Sequence, residues 1–212
     1  MDSILKKIAN RINNQEDRLV IGISGHGASG KTTFANHLVK LLGHNGVNYM
    51  NTDPYIIGSN LRQYAEIDFK YNNESHRFKM TACHPAAHNI EALERDIHMI
   101  RKGLDFYTIG TSYSKSILIS SQKKVNIVEG MSIAFIDPEL IDLKIYLYTD
   151  GETELIRRGV RDVSERGTDR NYLNQSHHER RIQYELFMHP YHRNFDIVIE
   201  NSNQDFRVEK GF

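Results

Sequence analysis

Residues 19–33 read LVIGISGHGASGKTT, and the fold follows from how that stretch changes character. Leu19 to Ser24 is a short apolar run, the pattern of a strand buried on both faces. Gly25-His26-Gly27-Ala28-Ser29-Gly30-Lys31-Thr32 then fits G-x-x-x-x-G-K-[ST] without a mismatch, and residues 31–43 resume helical spacing through Phe34, Leu38 and Leu41. Glycines let the backbone curl until consecutive N–H groups point inward at phosphate oxygens, and the following helix adds the positive end of its dipole. Lys31 can then reach the β- and γ-phosphates of a nucleotide, and the Thr32 hydroxyl can ligate Mg²⁺.

Outward from this loop the pattern stays α/β. Val47 to Thr52 is a second short strand candidate, and strand–helix–strand alternation argues for a parallel sheet with covering helices. Ile4, Ile8 and Ile12 recur every four residues, so residues 3–16 read as an amphipathic helix. Residues 54–82 are weakly patterned and polar, a long connection of the functional or mobile kind. Residues 88–102 are helical in spacing, with Ile90, Leu93, Ile97 and Ile100 on one face, and 106–120 read as a β-hairpin or extended excursion. Further strands are expected at Val125–Val128, Leu143–Leu147 and Phe195–Glu200, and the stretch 201–212 is short, polar and frayed. No repeat or low-complexity linker interrupts the chain, so residues 1–212 read as one α/β domain with an acceptor-side insertion at about 54–120 and a lid at about 151–181.

Composition narrows the function. The 212 residues are 39% hydrophobic and 25% charged, with 27 basic and 27 acidic side chains. That length buries a full core, and the formal net charge of +0 removes a general field for nucleic acid or anionic membrane. Cys83 is the single cysteine, so no internal disulfide and no oxidising compartment is implied. The first residues, MDSILKKIANRINNQEDR, lack a signal-peptide core, and no apolar run approaches the roughly 18 residues of a membrane span. With a mean hydropathy of -0.54, the expectation is a soluble, cytoplasmic protein with a small-molecule partner.

Three kinds of P-loop protein compete: a GTPase switch, an ATP-driven motor and a small-molecule kinase. The guanine-reading N/T-K-x-D motif is absent, and the buried run of the second motif ends Val128-Glu129-Gly130 rather than in the Asp-Glu of motors. A kinase needs a carboxylate to take the acceptor proton and cations to cover the transferring phosphoryl group. Asp53, in Asn51-Thr52-Asp53-Pro54-Tyr55, ends the second strand on the rim the P-loop shares; an Asp before Pro is also an ordinary turn residue. Glu129 ends a buried strand on the same rim, where it serves Mg²⁺ through water or caps a helix. Residues 155–181 hold seven arginines against four acids, either a phosphate-neutralising lid or a solvated face.

These segments together resemble the uridine kinase and phosphoribulokinase group of P-loop kinases, closest to uridine kinase, over roughly residues 19–200. The resemblance rests on Ile21–Thr33, Asp53-Pro54-Tyr55, His84-Pro85, Glu129-Gly130, Asp137-Pro138-Glu139-Leu140, Gln183-Tyr184 and above all Leu155–Gly167, LIRRGVRDVSERG. It implies a five-stranded parallel sheet flanked by helices, a small β-hairpin excursion over the acceptor and an Arg-rich lid. It also implies ATP and Mg²⁺ as cofactors, Asp53 as catalytic base with Lys31, and a phosphate-binding set from Gly25 through Thr33. By the same resemblance Thr32 and Glu129 serve the metal, Arg161 the nucleotide, and Tyr55, Arg158 and Arg166 the acceptor, while His84 lines the acceptor pocket or caps the helix after Pro85. Homo-oligomerisation is left open.

The acceptor half departs from the family. Cys83 stands where an Asp directly before His-Pro holds ribose hydroxyls, and a neutral thiol cannot replace that carboxylate. The stretch Ile109–Ser114 lacks the Tyr-Asp pair and the nearby His that face the pyrimidine, and Thr168 replaces an Arg. The 11 histidines form no closed ligand set in the sequence. The reading is therefore transfer of the ATP γ-phosphoryl to a hydroxyl of a small metabolite, uridine kinase-like, with two rivals. One is a kinase-derived nucleotide-binding regulatory protein without acceptor turnover; the other is a slow NTPase acting on a partner.

Overall fold

The computed structural model describes residues 1–163, 169–203 and 205–211. In chain order its helices and strands are α1 (Asp2–Asn13), β1 (Leu19–Ser24), α2 (Lys31–Leu42), β2 (Val47–Asn51), α3 (Ser59–Arg62), β3 (Glu66–Tyr71), β4 (Glu74–Lys79) and α4 (Ile90–Arg101). They continue with β5 (Phe106–Tyr107), β6 (Leu118–Ile119), β7 (Val125–Glu129), β8 (Leu143–Tyr148), α5 (Gly151–Arg158), α6 (Arg170–Phe187), β9 (Ile197–Glu200) and β10 (Arg207–Lys210). Among the described residues, no helix is long and apolar enough to cross a membrane.

The main sheet runs β10-β9-β8-β1-β7-β2. Its pairs are parallel from β9 to β2, so the carboxyl ends of β1, β2, β7, β8 and β9 share one rim. The five parallel strands are those the sequence implies. The sixth, β10, pairs antiparallel with β9 and corrects the expectation of a frayed terminus. Arg207 explains part of that order, since its guanidinium reaches Glu200 at 2.6 Å and Glu209 at 3.0 Å.

Both faces of the sheet are buried, which is why β1 is an unbroken apolar run. Ile21 and Ile23 face α1 and α2, packing with Leu5, Ile8, Ile12, Phe34 and Leu38. Val20 faces the opposite layer with Leu93, Ile97 and Ile100 of α4. Each such aliphatic side chain contributes about 1.5–3 kcal/mol on burial. On that second face Gly22 is closely covered by Ile133 and Ile141, where an added Cβ would lie 2.9 and 3.0 Å from their methyl carbons.

The segment 54–82, expected as a weakly structured connection, is instead mostly regular. Residues Asp53–Tyr55 form a 3-10 turn, α3 follows, and β3 and β4 make a six-pair antiparallel hairpin. Its turn is Asn72-Asn73, both left-handed at φ 49 and 66, the two-residue geometry that suits hairpin twist and that Asn tolerates. The signal was present in those two asparagines. What masked it is that the hairpin finds its cover elsewhere: Phe69 meets Phe187 edge-on at 5.8 Å, and Tyr71 donates to Glu185 at 2.5 Å, both on α6. The expected excursion at 106–120 is a short hairpin of β5 against β6.

His88 illustrates how the second layer is held. Its Nδ1 lies 2.8 Å from the Ser132 hydroxyl and its Nε2 2.8 Å from the Ala82 carbonyl, and burial pushes its pKa down to about 4. His189 is likewise lowered to about 4 by burial and then by His192, and His26 is lowered by burial. For each the folded pKa lies below the unfolded one, so the unfolded chain gains the extra proton first as pH falls. Stability is therefore complete above about pH 6.5 and declines toward pH 4. The limiting slope is about 1.4 kcal/mol per pH unit for each histidine. Thermal melts across that range are expected to show a falling Tm; a flat profile would contradict the neutral, buried assignment.

Candidate active site

The loop Gly25–Thr32 lies where sequence order around β1 reverses, between β8 on one side and β7 on the other, the usual ligand crevice of open α/β sheets. Gly25 has φ 147, and a Cβ there would fall 1.9 Å from the Leu147 carbonyl oxygen, so only glycine passes. Ala28 is held left-handed at φ 68 by contacts on its outer side. Arg157 donates to the Ala28 carbonyl at 3.3 Å and to Asn201 at 3.4 Å, while Asn201 donates to the Ser29 carbonyl at 2.9 Å. Those two carbonyls are thus engaged by side chains from α5 and from the end of β9, while the Ser29 N–H donates to the His26 carbonyl at 3.3 Å.

Within the rim, Glu129 is fully buried and heavily contacted. Tyr49 donates to its Oε2 at 2.7 Å, Asn51 to the same oxygen at 3.2 Å, and the Thr32 hydroxyl stands 3.3 Å from both oxygens. Lys31 Nζ lies 3.9 Å away and donates to the His26 carbonyl at 3.4 Å. Register explains the gathering: Asn51 and Ile23 both pair with Glu129 at the ends of their strands. Asn51 also accepts the Asp53 N–H at 2.8 Å, so one amide side chain links the buried carboxylate to the exposed Asp53. Burial, then the Glu129 charge, pushes the Tyr49 phenol far above its ordinary range, leaving it a donor.

The site's chemistry fits a nucleotide with a divalent cation. Ser29 Oγ is buried inside the loop with no partner among the described residues, and the Thr32 hydroxyl and Glu129 carboxylate form a hard oxygen pair suited to Mg²⁺. His26 does not point into the loop. Its fully buried ring accepts the Thr149 N–H at Nε2, 3.0 Å away, and turns Nδ1 toward Glu154. Thr33, the last residue of the expected phosphate set, is exposed on the first turn of α2.

The acceptor-side expectations divide. Tyr55 is only 1% exposed, and its hydroxyl is bonded to Asp96 in the core rather than offered to the cleft. That corrects its reading as a substrate contact: the 3-10 turn carrying Asp53 outward carries Tyr55 inward. His84 accepts the Ala86 N–H at 3.2 Å, capping the turn after Pro85, and its ring meets Phe187 at 4.7 Å. Cys83 is buried, and burial raises its thiol to about 11, a neutral group. Its segment is latched to α6, where Gln183 Oε1 accepts from the Thr81 N–H and hydroxyl at 2.9 and 2.8 Å.

Tyr113, 66% exposed on the second hairpin, reaches the Asp53 carbonyl at 3.3 Å. Thr111 spends its hydroxyl and N–H within its own turn, on Ser114. Arg158 lies against the loop, its Nη2 2.5 Å from where a Gly27 Cβ would be. Arg161 sits half-buried in the π-helical turn Gly159–Val163 that follows α5. Arg166 and Thr168 lie outside the described residues. Sequence reasoning missed Tyr49, Asn51, Glu154, Asn201 and Tyr113, and had Arg157 only as one of the seven arginines of 155–181. Only the i,i+4 spacing of Glu154 and Arg158 was readable in advance.

A strand, a phosphate loop and a helix at the reversal point, with strand-end carboxylates beside them, define a P-loop kinase. The sequence model of the phosphoribulokinase/uridine kinase family matches residues 20–206, and the chain belongs to that family. It is 32% identical over 202 residues to the uridine kinase of Oceanobacillus iheyensis, covering 88% of each chain. Its fold is similar to that of D-glycerate 3-kinase from Cryptococcus neoformans, with a TM-score of 0.60 at 13% identity over 98% of this chain and 99% of that one. It is similar also to phosphoribulokinase from Rhodobacter spheroides, with a TM-score of 0.59 at 14% identity over 88% and 71%. The protein is a small-molecule kinase.

The rim depends on Gly130, whose φ is 149 and whose missing side chain admits Thr52. A Cβ there would stand 1.9 Å from Thr52 Oγ1 and 3.1 Å from its Cβ. Gly130→Ala is expected to destabilise by about 2 kcal/mol or more, a fall in Tm of roughly 4–8 °C. A melt within a degree of wild type would show that the β2 and β7 ends are not packed this way.

Proposed function

We propose that the chain transfers the γ-phosphoryl group of Mg-ATP to a hydroxyl of a small metabolite, in a uridine kinase-like reaction. The observation that carries this reading is the Asn51 bridge, which ties Asp53 to Glu129 beside Lys31 and Thr32. Lys31 and the loop amides bind the phosphates. Asp53, exposed at the end of β2, takes the proton of the acceptor hydroxyl while its oxygen forms the new bond to phosphorus. The bond between that phosphorus and ADP breaks, and its electron pair leaves with ADP. Thr32 and Glu129 would hold Mg²⁺, which supplies neutralisation of the phosphate charge. Arg158, already on the loop, adds donors to the same charge, and α5 with the turn after it forms the base of the lid.

The acceptor side is less like a nucleoside site. The buried neutral thiol of Cys83 and the self-bonded Thr111 turn offer no carboxylate for paired ribose hydroxyls. They favour a second reading, an alcohol other than uridine or a nucleotide-binding regulator that turns over no acceptor. One assay separates these: ADP release from Mg-ATP against nucleosides, sugars, sugar phosphates and pantothenate-like alcohols. Lys31→Ala is expected to lose turnover. Asp53→Asn is expected to keep ATP binding while kcat falls by roughly 10²–10⁴. Full activity of Asp53→Asn removes Asp53 as base, and ATP binding with no active acceptor favours the regulator.

A further inference from the structure

Glu154 is a carboxylate without a stated task, buried to 3% exposure on α5 at the back of the phosphate loop. Burial works against its charge, but the hydrogen bond from His26 and the guanidinium of Arg158 outweigh it and hold it below the usual carboxylate range. Arg158 Nε donates to it at 2.7 Å, Arg181 Nη1 from α6 lies 3.5 Å away, and His26 Nδ1 lies 3.5 Å away.

These contacts close a ring through the loop. His26 accepts the Thr149 N–H at Nε2, so its proton is on Nδ1, facing Glu154 and the Gly27 carbonyl at 2.9 Å. Arg158 returns to the same place, lying where Gly27 has no side chain. Arg181 braces the ring from outside, donating to the Thr149 carbonyl at 2.8 Å and covering the Tyr184 ring at 4.7 Å. Tyr184 in turn lies against His26 with ring centroids 4.4 Å apart. One residue of the phosphate loop, His26, and one arginine from each of α5 and α6 thus meet on one carboxylate.

We propose that Glu154 is a holding site for Arg158: it keeps the guanidinium parked against Gly27 and competes for it with the phosphates of a bound nucleotide. The inference rests on the nucleotide-binding half of the kinase reading and is independent of the acceptor. A planar guanidinium engages an anion through a fork of donors, and here Nε is given to Glu154 while Nη2 faces the loop. Filling the loop with phosphate draws the fork inward; emptying it returns Arg158 to Glu154. Glu154 therefore sets nucleotide affinity below what Arg158 alone would give and lets ADP leave. His26 is the positioning residue that ties the carboxylate to the loop backbone.

The test is a double-mutant cycle on the full chain: wild type, Glu154→Gln, Arg158→Gln and the double variant. Affinities for ADP and inorganic tripolyphosphate are measured by calorimetry with Mg²⁺, together with kcat and KM for ATP. Glu154→Gln is expected to bind both ligands about tenfold tighter, the size of one charge-assisted hydrogen bond gained. KM and kcat are expected to fall together as release slows, and the gain is expected to vanish in the Arg158→Gln background. Equal or weaker binding by folded Glu154→Gln overturns the proposal, as does a gain that survives without Arg158. If Glu154→Gln does not fold, Glu154→Asp, which withdraws the carboxylate by one methylene, takes its place with the same expected and refuting results. Because tripolyphosphate fills the loop whether or not an acceptor exists, failure here is distinct from failure of the kinase reading, which shows as absent acceptor-dependent ADP release.

Discussion

Glu129 carries its carboxylate at the inner end of β7 with no exposed surface, and the rim of the sheet is arranged around that fact. A buried ionised group is tolerated only when donors saturate it. Here they come from two elements: Tyr49 and Asn51 of β2 and Thr32 of α2, with Lys31 of α2 close by. The parallel register of β2 with β7 is what makes this possible, since it sets Asn51 beside Glu129. Once Asn51 is there, its other end fixes the Asp53 backbone, and the exposed carboxylate beyond it. Slipping the strand by one residue would turn Asn51 to the other face and break the link.

A second buried carboxylate, Glu154, organises the opposite side of the phosphate loop. The two are complementary in kind. Glu129 is met mainly by neutral donors and a hydroxyl, a setting that leaves it able to serve a divalent cation. Glu154 is met by guanidinium groups and a neutral imidazole, a setting in which the carboxylate acts on the protein's own cations. The phosphate loop lies between them, gripped by Arg157 and Asn201 at its carbonyls and anchored through His26 to Thr149 and Glu154. Its shape is therefore held before any ligand arrives, which lowers the ordering cost of binding.

Much of this was legible in the chain. The loop motif between an apolar run and a helical repeat marked β1 and α2 within a residue of their bounds, because local backbone geometry and two-sided burial leave a strong pattern. The positions of Asp53 and Glu129 at the sheet rim were legible for the same reason, as polar residues closing apolar runs. The hairpin β3–β4 was not, because its apolar side chains are few and its cover comes from α6, about a hundred residues later. Tyr55 was misread because adjacent residues of a 3-10 turn point in different directions, and nothing local says that Asp96 waits inside. Asn201 was invisible because its contact with Ser29 spans 172 positions.

What the sequence by itself determined is the phosphoryl-handling core: a loop whose glycines permit one backbone path, a helix dipole behind it and carboxylates at strand ends. Those features are encoded within a few residues of one another, and short-range sterics suffice to specify them. What only the tertiary structure decided is which side chains face the site and which are spent holding it. Tyr55 went to the core, His26 to Glu154 on α5, Asn51 to both Glu129 and Asp53, and Arg158 to Glu154. Each outcome depends on a partner brought close by sheet register or helix packing, and such partners leave no period in the sequence.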